Sequence, residues 1–296
     1  MLTVAYLGPE GTNTHLAALK RFGRRTSYLH APTVDDVFHL VERRRAGYGV
    51  VPIENSLEGA VTRTLDRFID FVDTPVKIQG EIQQPIRHHL IVHKRVDNLR
   101  DIKIVFSHPQ ALAQCRSWLD KHLPDASCEE TNSTAEAVDH LLEEKGVKVL
   151  KGPQGRWRFF AAYASAKQRA AIARAELITR GNLRAIPIAD QRDNKTRFLV
   201  LGLGEPRQGR ENKTSILFAL KDKPGALHDA LVPFKRQRIN LTKIESRPSK
   251  RKAWEYLFFI HIEGHESEPR VKRALNALED STSLLRILGS YPTATR

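Results

Sequence analysis

The chain has 296 residues, 41% of them hydrophobic, and carries 48 Lys and Arg against 34 Asp and Glu, a net charge of +14. This composition excludes a disordered or fibrous chain, its length suits two domains, and no apolar run approaches the ~20 residues that span a bilayer. The two cysteines, Cys115 and Cys128, make no disulfide framework and are expected as free thiols, and the opening MLTVAYLG reads as a strand without a basic leader, so a cytoplasmic protein is expected.

Over the first 205 residues short apolar strands alternate with helical stretches, the pattern of an α/β fold with mostly parallel sheets. Strands are predicted at 2–8, 48–54, 89–93, 102–107 and 196–204, and helices at 14–23, 34–45, 61–72, 111–123 and 133–146. The stretch 206–212, inside GEPRQGREN (204–212), is rich in Pro, Gly and charge and reads as a linker. Beyond it the order changes to strand 213–221, helix 225–237, strands 241–247 and 253–264, helix 269–280 and strand 283–292. That is β-α-β-β-α-β, a ferredoxin-like unit.

The basic excess is spread: 212–296 holds 16 Lys and Arg against 9 Asp and Glu, and the only tight runs are RRR (43–45) and KRK (250–252). No nucleic-acid partner and no membrane is expected, because neither run makes a basic face, and a small polyanionic substrate accounts for the balance.

Four junctions share one design, a strand followed by a short polar turn and a helix start: GPEGTNTH (8–15), PIENSLEG (52–59), SHPQALAQC (107–115) and TNSTAEAV (131–138). Each offers hydroxyls, amides and backbone N–H groups at the positive end of a helix, which suits an anion. Each also reads as capping alone, since Ser107 with Gln110, Ser133 with Glu136 and Asn55 with Glu58 have capping-box spacing. Four such turns at the C-terminal ends of strands in an open α/β sheet favour a ligand.

The sequence shows no metal-ligand spacing; of His88, His89 and His93, only the last two share a strand face, so no metal is expected. GLG (202–204) opens like a dinucleotide loop but runs into a Pro-containing linker where a helix should start. No Ser-centred nucleophile elbow occurs. Hydroxyls, amides and one or two arginines remain, a set suited to orienting a charged small molecule without a cofactor.

At these residues the chain resembles the prephenate dehydratase family. VAYLGPEGT (4–12), VVPIENSLEGAV (50–61), SHPQALAQC (107–115), NSTAEAV (132–138) and DNKTRFLVLG (193–202) follow the family's motifs in order. KDKPGALHDAL (221–231) and INLTKIESRPSKRKAWEYLFFIHIEGH (239–265) resemble its regulatory ACT domain. The resemblance implies a two-lobed, periplasmic-binding-protein-like catalytic part over 1–205, with lobe one about 1–80 and 185–204, lobe two about 81–184 and the active site in the cleft, followed by an ACT domain over 213–296. It carries over Thr196, Asn55 and Gln114 as catalytic residues, and Glu54, Ser107, His108, Thr12 and Arg197 as neighbouring substrate-binding positions. For Arg197 an outward ion pair is the other reading, because strand neighbours 196 and 197 point to opposite faces.

The implied chemistry suits these residue types. Prephenate carries two carboxylates on a non-aromatic ring, and losing one as CO₂ while the ring hydroxyl departs as water makes the ring aromatic. The enzyme must orient the dianion and give the departing hydroxyl a hydrogen bond or proton. Thr196 is expected as that donor, with Asn55 and Gln114 holding hydroxyl and carboxylates. The ACT resemblance implies L-phenylalanine as an allosteric ligand at Gly225, Ala226 and Leu227, with Asn240, Glu245, Ser246, Arg247 and Pro248, between paired copies in a homodimer or homotetramer. By residue chemistry alone Gly225 only follows Pro224 in a turn, and Glu245 and Arg247 form a solvated strand pair.

Two departures from the family stand out. Asn13 occupies a position that is usually aromatic, and the stretch between STAEAV and DNKTRF is long, with AAYAS (161–165) and AAIAR (170–174) competing for one motif. A surface insertion is expected at 148–160, and no site residue is assigned in 147–190. Arogenate dehydratase, the same reaction on the aminated substrate, is the alternative activity, and a non-catalytic two-lobed binding protein the alternative class.

Overall fold

The computed structural model describes residues 2–70, 74–142, 168–175, 182–188, 190, 193–221, 223–249 and 255–294. The insertion expected at 148–160, the AAYAS match and the KRK run lie outside the described residues. The chain divides into two compact units, one of residues 1–8, 13–84 and 195–296, the other of 9–12 and 85–194.

In chain order the first unit opens with β1 (Thr3–Leu7), α1 (Asn13–Phe22), β2 (Ser27–Ala31), α2 (Val34–Glu42), β3 (Tyr48–Asn55), β4 (Gly59–Ala60), α3 (Thr62–Asp70) and β5 (Val76–Pro85). The second holds β6 (His89–His93), β7 (Ile104–Ser107), α4 (Pro109–Gln114), α5 (Arg116–His122), β8 (Ser127–Glu130), α6 (Thr134–Leu142), β9 (Arg169–Ala173) and β10 (Leu183–Pro187). The chain returns to the first unit with β11 (Lys195–Leu203) and ends with β12 (Asn212–Leu220), α7 (Ala226–Arg236), β13 (Leu241–Pro248), β14 (Tyr256–Glu263), α8 (Pro269–Glu279) and β15 (Thr282–Pro292).

The first sheet has the order β2-β1-β3-β11-β5, with β1 parallel to both β2 and β3 and β11 antiparallel to β3. β3 sits centrally because Val50, Val51 and Ile53 are fully buried and supply apolar side chains to both faces. The second unit's sheet runs β10-β6-β9-β7-β8. Because β10 pairs with β6 in that sheet, the return to the first unit falls at Lys195 rather than at the expected 185.

The last sheet, β13-β14-β12-β15, is the ferredoxin-like unit. β12 reads as a continuous apolar run because both its faces are covered: Ile216 and Phe218 pack with Phe234 of α7 and Leu275 of α8, while Leu217 and Ala219 enter the core that holds Phe38, Ile53 and Phe68. One hydrophobic core therefore joins the first sheet and the C-terminal sheet.

Six strands lie outside the expected set, namely β2, the two-residue β4, β5, β8, β9 and β10. β2 and β8 are edge strands with polar, half-exposed sequences, so they lack the apolar run that marks a strand. The expected helix over 111–123 is two helices that part at Cys115, whose ψ of 11° breaks the helical path. α2 stops short of 45 because Arg44 adopts a left-handed φ of 55°, leaving the RRR run exposed at a helix end. Both cysteines are free thiols, and burial pushes Cys115 up to about 12, far from a reactive thiolate. No helix among the described residues is long and apolar enough to cross a membrane.

Candidate active site

In the first unit the end of β3 meets the start of β11 with Asn55 directly opposite Thr196. Asn55 Oδ1 accepts from the backbone N–H groups of Leu57 (2.9 Å) and Glu58 (3.3 Å), closing an Asx-type turn. It therefore caps a turn rather than a helix; the next helix, α3, starts at Thr62. With its oxygen held, the amide presents its nitrogen, and Asn55 Nδ2 donates to Thr196 Oγ1 at 2.9 Å. Thr196 thus accepts through oxygen and keeps its own hydrogen, for which no acceptor occurs among the described residues. Ser56 anchors the same corner, accepting at Oγ from Lys195 N and donating its own N–H to Lys195 O, both at 2.9 Å.

In the second unit Gln114, the last residue of α4, accepts two bonds at Oε1, from Asn194 Nδ2 (2.8 Å) and from His88 Nε2 (2.7 Å). A carboxamide oxygen only accepts, so His88 carries its proton on Nε2. Burial lowers its pKa, with the bond to Gln114 opposing and the charge of Arg174 adding to the shift, which leaves the ring neutral at pH 7. Arg174 itself is buried and donates from Nη1 to Pro85 O at 2.8 Å. His88, Asn194 and Arg174 are absent from the expected set. The signals were Asn194 two residues before Thr196 in DNKTRF, and the AAIAR match, which the structure places on β9 and its C-terminal edge.

Other expected positions fall elsewhere. Ser107 is fully buried, and its hydroxyl donates to Ile172 O at 2.7 Å, tying β7 to β9; the capping role passes to His108, whose Nδ1 accepts from Gln110 N at 3.3 Å. At TNSTAEAV, Ser133 Oγ accepts from Glu136 N (3.0 Å) and Glu136 Oε2 from Asn132 N (2.8 Å), so that junction is a cap. The Thr12 hydroxyl donates to Pro9 O at 2.9 Å, within the turn before α1.

Glu54 and Arg197 are also partners across β3 and β11, but on the face opposite Asn55 and Thr196. Their side chains bond each other, Arg197 Nη1 to Glu54 Oε2 at 2.8 Å, with Arg197 Nε 3.6 Å from buried Glu81. The period-two alternation of a strand turns them to the face opposite Asn55 and Thr196.

On the C-terminal sheet Gly225 is the N-cap of α7 at φ 77°, a left-handed position that favours glycine, and Ala226 and Leu227 open the helix. Asn240 donates from Nδ2 to Glu263 at 3.2 Å, leaving its carbonyl oxygen as an acceptor. Ser246 and Pro248 are exposed on β13. Arg247, with Lys243 and Glu245, takes the other face of β13, where its guanidinium makes bonds of 2.9 and 3.1 Å to Asp66 of α3. No group of three or more His, Cys, Asp or Glu side chains able to hold a metal occurs among the described residues.

Comparison with known proteins agrees with the motif reading. Residues 4–206 match the family profile of prephenate dehydratase, and 214–280 that of the ACT domain. The bifunctional chorismate mutase/prephenate dehydratase of Aquifex aeolicus is 46% identical over 99% of this chain and 74% of its own length. The prephenate dehydratase of Methanocaldococcus jannaschii is 37% identical over 98% of this chain and 97% of its own. The crystal structure of prephenate dehydratase from Arthrobacter aurescens, in complex with L-Phe, is similar at a TM-score of 0.82 and 33% identity, covering 99% of this chain and 90% of that one.

Proposed function

The chain belongs to the prephenate dehydratase family, and from that premise we propose that Thr196, Asn55 and Gln114 carry the conversion of prephenate to phenylpyruvate, water and carbon dioxide. The electron pair of the ring–carboxylate bond becomes part of the aromatic ring, the ring C–O bond breaks, and the hydroxyl leaves with one added proton. No electrons are gained or lost overall, so the reaction calls for no redox cofactor. The single supporting observation is the 2.9 Å bond from Asn55 Nδ2 to Thr196 Oγ1. It fixes the threonine oxygen and polarises its O–H, so that the hydrogen is aimed as a donor to the leaving hydroxyl. An ordinary threonine is too weak an acid to give the proton up; its part is a hydrogen bond that strengthens as negative charge develops on the departing oxygen. Gln114 is oriented through its Oε1 by His88 and Asn194, and buried Arg174 adds positive charge on the same unit.

Incubating the purified chain with prephenate and, side by side, with arogenate tests the reading. Phenylpyruvate is expected from prephenate. Turnover of arogenate alone would replace the substrate assignment, and turnover of neither would overturn it.

The same premise supports L-phenylalanine as a regulatory ligand at Gly225–Leu227, in a cytoplasmic homodimer or homotetramer paired through the ACT sheets. Edge strand β13 with exposed Ile244 suits that pairing, since an unpaired edge is a template for a second strand. The first-turn N–H groups of α7 beyond Ala226, whose own N–H donates to Lys223 O, suit the ligand carboxylate, and the left-handed Gly225 lets it approach. Gly225→Val forces a β-branched residue into a positive φ and places a side chain on that approach. Titration calorimetry is expected to show phenylalanine binding to wild type and none to the variant; an unchanged heat in the variant refutes the site. By linkage, prephenate and phenylalanine weaken each other's binding by the same factor.

A further inference from the structure

A charged cluster lies behind the Asn55–Thr196 pair, and the reaction as argued above makes no use of it. Glu54 precedes Asn55 and Arg197 follows Thr196, so the two catalytic side chains and the two charged ones are adjacent cross-strand pairs on opposite faces of one ladder. Each oxygen of the Glu54 carboxylate takes one bond. Oε2 accepts from Arg197 at 2.8 Å, and Oε1 accepts at 3.0 Å from Nζ of Lys243, which reaches in from β13 of the C-terminal sheet with its side chain 5% exposed. A second bond across the same boundary joins Lys213 of β12 to Glu81 of β5 at 2.9 Å. Glu245 Oε2 is 3.9 Å from Lys243, and His261, opposite Lys243 on β14, is fully buried with neither ring nitrogen bonded among the described residues.

The ladder is irregular at this point. The register of β11 on β3 shifts between Arg197 and Phe198, immediately behind the catalytic pair. Next to a bulge the backbone bonds alone hold register weakly, and a one-residue slip would exchange the faces of Thr196 and Arg197. The Glu54–Arg197 bond opposes such a slip together with the Ser56–Lys195 bonds, and Lys243 holds the other oxygen of the Glu54 carboxylate. The Glu54–Arg197 pair is only half-buried, its side chains 29% and 21% exposed, so it contributes little to net stability.

We propose that Lys243 is a positioning residue for the reaction: from the C-terminal sheet it anchors the Glu54 carboxylate, and through the Glu54–Arg197 pair it holds Asn55 and Thr196 face to face. The strand that carries the ESRP segment is thereby joined by one side chain to the back of the catalytic ladder. The inference rests on the assignment of Asn55 and Thr196 given above.

The experiment compares Lys243→Met, Lys243→Arg, Glu54→Gln and the Lys243→Met/Glu54→Gln double variant, assayed with prephenate well below their melting temperatures. Asp66→Asn, which breaks the Arg247–Asp66 bond made by the same strand, is the structural control. Lys243→Met is expected to lower kcat about tenfold, a usual size for coupling through a packed contact, with KM nearly unchanged. Lys243→Arg should recover most of the rate, and the lysine change should cost nothing further once Glu54 is Gln. Asp66→Asn should lower the melting temperature and leave kcat alone. Should Lys243→Met not fold, Lys243→Gln, which keeps a donor, takes its place. Wild-type kcat in the folded lysine variant, an equal loss in Asp66→Asn, or additive losses in the double variant would each overturn the proposal. Wild-type protein without turnover overturns the functional reading, and this inference with it; an active wild type with an unaffected lysine variant overturns this inference alone.

Discussion

Thr196→Ala lowers kcat by roughly 30- to 1,000-fold, about 2–4 kcal/mol of transition-state stabilisation, while KM moves little. The size is that of removing one preorganised donor from an oxyanion-type site. The asymmetry follows because the hydrogen bond to the leaving hydroxyl strengthens only as the C–O bond breaks. The fold should survive, because Asn55 Oδ1 remains bonded to Leu57 N and Glu58 N, so the Asx turn does not depend on the threonine. Thr196→Val, of nearly equal shape, should lose as much as alanine, and Thr196→Ser should keep most of the rate. Initial rates of phenylpyruvate formation measure the effect, with circular dichroism to show that each variant is folded. A folded Thr196→Ala with wild-type turnover would remove threonine from the mechanism.

Gly289→Ala costs roughly 3–5 kcal/mol of stability, the sum of a strained backbone and an overpacked core. Gly289 lies on β15 opposite Ser215, where the pairing of β12 and β15 slips, and its φ is 151°. An alanine Cβ there would stand 2.3 Å from Ile78 O and 3.0 Å from Ile78 N, in the backbone of β5, so no side chain can turn aside to relieve it. Leu288 on one side and Ser290 on the other are fully buried, which denies the strand room to move. The thermal midpoint should fall by about 10 °C at the usual few degrees per kcal/mol for a chain of this size. Gly204→Ala is the comparison: its φ is 82° but nothing lies within 4 Å of the added atom, so only the strain remains, about 1 kcal/mol. Equal losses in the two variants would show that close approach to β5 is not what excludes a side chain at Gly289.

The sequence by itself determined the features written in local chemistry. Turn residues followed by helix starts mark the four junctions, unbroken apolar runs mark β1, β3 and β12, and the change of element order after the GEPRQGREN stretch marks the ferredoxin-like unit. Asn55, Gln114 and Thr196 stand in contiguous motifs whose residue types match the family's chemistry, which is why the sequence alone was enough to propose them.

Tertiary structure decided what each side chain meets. Glu54 and Arg197 share those motifs, yet strand alternation turns them to the back, where Lys243, 189 residues further along, is waiting. Ser107 looked like a cap until β9 arrived beside it to accept its hydroxyl. Arg247 bonds Asp66, 181 residues away in the chain. His88 and Asn194 orient Gln114 from 26 and 80 residues away. The reason is common to all of these: periodicity and turn chemistry act within a few residues, whereas cross-strand pairing and burial join segments whose separation leaves no trace in either one.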